Sequence, residues 1–197
     1  MKITRRSFTN SLMGGAIAAT SSLPSLGSAL AAGKDAVLTD DGLHYQPWFL
    51  ESFLELADDH STASDSGKHF AIMWELKNCP YCAKTHEVNL ADQKISSFIQ
   101  ENFDVLQLNV IGSRKVMDFD GEELSEKKLA KKYGVRFTPT IQFFPKEFKD
   151  LESVSPLDRE IARLPGYMEP NKFLSIFQYV ASETYKTKSL NKYLSAG

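Results

Sequence analysis

The chain carries two cysteines, Cys79 and Cys82, three positions apart. A bridge across two intervening residues restricts the unfolded chain little, so the pair reads as chemistry rather than as a structural staple. Pro80 fits the first turn of a helix, where its missing N–H does no harm. Two thiols at the head of that helix can close a disulfide with little movement. The unpaired N–H groups and the dipole at the same end favour negative charge. They stabilise a thiolate on the first cysteine, and the thiolate is the attacking species. Cys79 is therefore the expected exposed nucleophile, and Cys82, one turn in, the sulfur that resolves a mixed disulfide.

Other uses of two cysteines are open to test. Structural zinc sites usually take such pairs twice over, and no second pair exists here. Haem attachment needs His directly after the second cysteine, where Ala83 stands. His86, four residues after Cys82, would share its helix face. Cys79, Cys82 and His86 could then offer three ligands to copper or zinc. The plainer alternative puts His86 on a solvated helix face. Tyr81, between the cysteines, fits packing on the rim of the site, tuning of the thiolate and contact with substrate.

These residues need a scaffold. The run Phe70-Ala71-Ile72-Met73-Trp74 predicts a buried strand over 69–76 that delivers the chain to the cysteines. Apolar residues three and four apart from Trp48 to Ala57 predict an amphipathic helix over 47–58, preceded by a loose segment at 32–45 and followed by a polar loop at 58–68. A helix over 92–102 and a strand over 105–110 come next. Asp120-Gly121 is a hairpin signal. Ser125 caps a helix that stops at Gly134. A strand over 140–144, an antiparallel partner at 160–164 and a helix from Pro170 to about Tyr185 complete the order. Trp74, Phe143 and Phe144 belong to the core. The pattern predicts an α/β domain with a mixed central sheet covered by helices on both faces. Pro139, directly before a strand, suits either a cis X–Pro bond or a trans proline opening an edge strand.

The N-terminus reads as an address. Arg5-Arg6 precedes an uncharged stretch from Ser7 to Gly33, with small residues at Ala29-Leu30-Ala31. This is the layout of an export signal of the twin-arginine type. Residues 1–31 are assigned to it and 32–197 to one domain. A retained membrane anchor is the competing reading, although Ser, Thr, Gly and Pro24 dilute the apolar run that a spanning helix needs. Beyond Ala31 there are 20 basic and 25 acidic residues, a net charge of −5. Nothing here suggests a nucleic-acid surface, which needs a basic patch.

The strand leading into Cys79-Pro80-Tyr81-Cys82, the segment Gly134-Val135-Arg136-Phe137-Thr138-Pro139-Thr140 and the turn Leu164-Pro165-Gly166-Tyr167 together resemble the thioredoxin superfamily. The resemblance covers about Pro47 to Tyr185 and implies the thioredoxin-like fold. Within the superfamily, Asn89-Leu90-Ala91-Asp92 and Asp118-Phe119-Asp120-Gly121-Glu122 are similar to the SoxW-like thioredoxins, periplasmic proteins associated with sulfur-oxidation clusters. The resemblance implies a cis bond before Pro139, packing of Pro139 beside the cysteines, and pairing of the Thr138 backbone with an incoming peptide strand. The twin-arginine-like signal implies a bacterial, periplasmic setting, with exported disulfide-bearing proteins as expected partners, and the family resemblance implies a membrane thiol transporter as electron donor. No cofactor beyond the Cys79–Cys82 disulfide is expected.

Two departures from that family stand out. Ordinary thioredoxins place a buried aspartate six residues before the first cysteine, where this chain has Met73, and use Gly-Pro between the cysteines rather than Pro-Tyr. Glu75 points to the same side of the strand as Met73. It is either a proton acceptor for Cys82, if buried, or a solvated charge at the strand end. The leading expectation is a periplasmic thiol–disulfide oxidoreductase that reduces exported partners. A disulfide oxidant or isomerase uses the same residues, since direction depends on the reduction potential. A copper or zinc carrier through Cys79, Cys82 and His86 is the competing binding function.

Overall fold

The computed structural model describes residues 37–147 and 151–195. The export signal assigned to residues 1–31 lies outside them. Strand β1, His69–Glu75, is buried along its whole length. That burial suits its continuous apolar sequence, as expected for the centre of a sheet covered on both sides. It pairs in parallel with β2, Phe103–Asn109, and antiparallel with β5, Thr140–Phe143, which pairs in turn with β6, Ala162–Pro165. The spatial order is β2-β1-β5-β6.

Alternation along β1 divides the core. Ala71 and Met73 face one cluster, with Phe173, Ile176 and Phe177 of helix α5, Pro170–Ala181, and Ile95 and Ile99 of helix α3, Gln93–Asn102. Phe70, Ile72 and Trp74 face the other, with Leu56 and Ala63 of helix α1, Leu56–Asp65, and Leu129 and Ala130 of helix α4, Glu126–Lys132. Trp74, Phe143 and Phe144 are core residues. Between β2 and α4 lies a hairpin, β3 (Lys115–Met117) and β4 (Glu123–Ser125). Gly121 takes φ +78° at its turn and Gly134 takes φ +61° after α4, both conformations that suit glycine. The Ser125 hydroxyl caps α4 by accepting the Lys128 N–H.

The expected helix over 47–58 is not there. Residues 47–54 form an irregular strap, and the first helix starts at Leu56 and runs through the stretch expected to be a polar loop. Leu50 N–H donates to the Val105 carbonyl at 2.9 Å on the edge of β2, and Met117 N–H donates to the Leu54 carbonyl at 2.8 Å. Sheet-edge hydrogen bonds thus take the strap's backbone groups out of helical pairing. Leu54 has φ +65°, which no α-helix accommodates. Phe53, one of the apolar residues in that stretch, is 98% exposed. Helix α1 buries Leu56, His60 and Ala63, a sparse stripe that its polar residues disguised. At the other end α5 stops at Ala181. Glu183 adopts φ +52°, and a short helix α6, Leu190–Leu194, follows.

Candidate active site

β1 ends at Glu75, and Asn78, at φ +60°, turns the chain out of the strand. Asparagine tolerates that left-handed conformation better than most residues. Cys79 is the N-cap of a short helix α2, Pro80–Lys84, and Pro80 occupies its first turn. The Cys82 N–H donates to Cys79 Sγ at 3.2 Å, so one of the otherwise unpaired donors of the helix start ends on the sulfur. Thr138 makes two further contacts. Its hydroxyl donates to Cys79 Sγ at 3.3 Å, and the Cys79 thiol lies 3.5 Å from its carbonyl oxygen. A thiolate at Cys79 therefore has two donors waiting.

The expectation of an exposed nucleophile needs correction. Cys79 is only 8% accessible and Cys82 1%, and both thiols are free. Thr138, in the segment before β5, lies against the outer sulfur. Cys82 has its thiol pushed well above the ordinary cysteine value. Burial is the main cause, followed by the hydrogen bond with Cys79 and the charge of Glu75; a hydrogen bond with the Leu76 backbone opposes them. The difference between the two sulfurs suits their proposed roles: hydrogen-bond donors at the attacking atom, a protonated thiol at the resolving one.

The Thr138–Pro139 peptide bond is cis. Pro139 is buried, and its carbonyl accepts the Gly166 N–H at 2.7 Å, which ties the cis segment to the turn before α5. Tyr81 is 59% exposed and Phe137 65%. In the chain Tyr81 lies next to Cys82 and Phe137 next to Thr138, so two exposed aromatic residues adjoin the site. Tyr81 stacks on Tyr167 at 6.5 Å between centroids, and Lys84 Nζ sits 4.0 Å from the Tyr167 ring centre.

Glu75 is fully buried, which disposes of the solvated strand-end alternative. His86 Nε2 lies 3.1 Å from both of its oxygens, and Gln107 Nε2 donates to Oε2. His86 is also buried, contrary to the plainer expectation of a solvated helix face. The reason is local. After Lys84 the helix widens into a π turn over Thr85–Leu90, and His86 and Asn89 turn inward with it. Such widened turns occur often at functional sites. Both ring nitrogens of His86 are engaged, Nε2 by Glu75 and Nδ1 by Gln46 at 3.2 Å. Among the described residues no three His, Cys, Asp or Glu side chains converge on a point where a metal could sit. The geometry thus joins Cys79, Cys82, Thr138, Pro139, Tyr81 and Glu75, and pairs His86 with Glu75 rather than with the sulfurs.

Sequence reasoning missed Gln46 and Gln107. Gln107 stands opposite Met73 in the β1–β2 register. A polar residue facing the glutamate's side of a buried strand was the available signal; Gln46, in an irregular segment, offered none.

No curated protein matches the chain by sequence. Among solved structures it is similar to a thioredoxin-fold protein from Helicobacter pylori, with 21% identity over 84% of this chain and 89% of that one, at a TM-score of 0.50. A thioredoxin from Thermus thermophilus aligns with 22% identity over 64% of this chain and 83% of that one, at a TM-score of 0.48. The periplasmic thioredoxin SoxS from Paracoccus pantotrophus aligns with 17% identity over 59% and 99%, at a TM-score of 0.37. The thioredoxin-like domain model matches residues 56–181, from the start of α1 to the end of α5, and the chain belongs to the thioredoxin-like family.

Proposed function

We propose that this protein is a periplasmic thiol–disulfide oxidoreductase that reduces disulfides in exported proteins through a Cys79–Cys82 cycle. The observation that carries the reading is the pair itself. Cys79 caps a helix and receives the Cys82 N–H and the Thr138 hydroxyl, while Cys82 is held protonated behind it. Cys79 attacks a client disulfide, the client binds along the Thr138 backbone by strand addition, and Tyr81 and Phe137 receive its apolar side chains. Glu75 takes the proton from Cys82 when the mixed disulfide resolves. The twin-arginine-like N-terminus supports export to the periplasm; no helix among the described residues is long and apolar enough to cross a membrane. A SoxW-like place beside a sulfur-oxidation system, and a membrane thiol transporter as electron donor, extend the proposal on the strength of the sequence resemblance.

One observation favours a second reading. Donors that stabilise the Cys79 thiolate stabilise the reduced form, and a stabilised reduced form makes an oxidant. The reduction potential decides between them. A value near about −270 mV supports a reductant, and one near about −120 mV an oxidant. The shared chemistry is tested by trapping. The Cys82→Ser protein should hold a client as a mixed disulfide through Cys79. Failure to trap any disulfide-bearing protein, with the pair inert to oxidation and reduction, removes both readings.

A further inference from the structure

The Glu75 carboxyl is fully buried, and a buried charge is costly unless it is paired and hydrogen-bonded. A neutral acid cannot take the proton of Cys82. The surroundings of Glu75 therefore matter as much as its position. From β2 Gln107 and from the π turn His86 reach its oxygens, and its charge acts on the Cys82 thiol in α2. Among the described residues His86 is the only basic side chain within ion-pair distance of it. No lysine or arginine of the described chain bridges to it.

The orientation of His86 is itself constrained. Gln46 Nε2 meets Nδ1 at 3.2 Å. An amide N–H donates, so Nδ1 presents its lone pair, and the ring proton sits on Nε2, directed between the two Glu75 oxygens. The rings of His44 and Phe49 pack against the imidazole at 5.6 and 5.7 Å. Gln107 bridges the two shells, since its amide reaches both Glu75 and the His44 carbonyl. The imidazole is thus clamped by a strap that precedes β1 in the chain.

We propose that His86 is the positioning residue for Glu75: by donating Nε2–H to both oxygens it satisfies the buried carboxylate and holds it in place to accept the Cys82 proton. The proposal rests on the dithiol cycle given above. In the resolving step the Cys82 proton passes to the Glu75 carboxylate, and the Cys82 sulfur attacks Sγ of Cys79 in the mixed disulfide. The bond between Cys79 and the client breaks, and its electron pair leaves on the client sulfur, which takes a proton from water. The client disulfide has then gained two electrons and the Cys79–Cys82 dithiol has lost them. An external dithiol restores the reduced pair. His86 neither touches a sulfur nor changes its own proton count in this sequence.

The two steps separate with an aromatic disulfide, dithiobis(nitrobenzoate), as probe on the full reduced chain. Attack by Cys79 releases one coloured thiolate and resolution by Cys82 releases the second. In His86→Leu the first release should keep its wild-type rate, while the second slows by at least about tenfold at neutral pH. Its rate should recover only at higher pH, where Cys82 loses its proton to solvent. His86→Gln can present an amide N–H to the same oxygens and should keep the second release within about threefold of wild type. If His86→Leu does not fold, His86→Asn, which is too short to reach, replaces it against His86→Gln. Equal second-release rates and pH profiles in wild type and the leucine or asparagine variant overturn the proposal, and so does a glutamine variant as slow as leucine. Absence of the first release in the wild type would instead remove the dithiol cycle itself.

Discussion

Two buried polar clusters lie on opposite faces of the central sheet, and they are built in opposite ways. One joins Asp118, Asp120, Tyr133, Lys132 and Arg159. Arg159 is 2% exposed, and its guanidinium reaches the Asp118 carboxylate at 3.1 Å, the Tyr133 hydroxyl at 2.8 Å and Asp120 at 3.0 Å. Lys132 pairs with Asp118, Asp120 and Glu122. Every charge there has an opposite charge and several hydrogen bonds. The cluster ties the turn of the β3–β4 hairpin to α4 and to the segment before β6. The second cluster is Glu75 with His86 and Gln107, where one carboxylate meets an imidazole and a neutral amide. The first cluster is saturated and faces no reactive group. The second is thinly compensated and adjoins a thiol. A saturated network holds elements together; a thin one leaves a carboxylate with few partners beside a thiol. Buried charge alone therefore does not mark function, whereas incomplete pairing beside a reactive atom does.

The comparison can be broken by cutting each cluster in turn. Arg159→Met should lower unfolding stability by about 3 kcal/mol, because it strands buried acids. Chemical denaturation checks this, and the folded fraction should exchange thiols at the wild-type rate. Glu75→Gln should do the reverse. Its stability should hold or rise, since a buried charge is gone, while mixed-disulfide resolution slows by about a hundredfold. An unchanged resolution rate would erase the functional half of the contrast.

Acid sharpens the same contrast. Burial alone would raise the Asp120 carboxyl, but hydrogen bonds from Lys132 and Arg159 overcome it and hold the group at about 2, below its ordinary 3.8. A carboxyl depressed in the folded state contributes stability that is complete above the unfolded value and is lost as pH falls through the folded one. Thermal midpoints should therefore fall between about pH 4 and pH 2, and Asp120→Asn should flatten that stretch of the curve. The smallest effects belong to the rim. Tyr81→Ala and Phe137→Ala should leave stability within about 0.5 kcal/mol while weakening KM for a protein disulfide a few-fold and sparing a small-molecule one. Steady-state kinetics on the two substrate sizes separates those outcomes.

Much of this site could be read along the chain because its physics is local. A helix cap, a proline at the first turn, a serine cap and glycines at positive φ are properties of adjacent residues. Cys79, Cys82, Ser125, Gly121 and Gly134 stand where such rules put them. Periodicity failed where a second element intervened. The apolar residues Trp48, Phe49, Leu50 and Leu54 have helical spacing, yet the open edge of β2 at Val105 and the hairpin at Met117 supply hydrogen bonds that an extended strap uses better. Helix α1 went unread because most of its surface is polar and only Leu56, His60 and Ala63 are buried.

By itself, the sequence determined the placement of the two cysteines at a helix start and the strand–helix frame that presents them, since each follows from a few neighbouring residues and the backbone between them. The tertiary structure alone decided what surrounds Glu75. Its partners, His86 and Gln107, lie 11 and 32 residues away, and the clamp on His86 comes from Gln46, 40 residues before it. No local rule links such positions. They meet because β1 and β2 pair in register, a π turn brings one side chain inward, and a segment pairing with the edge of β2 carries Gln46 to it.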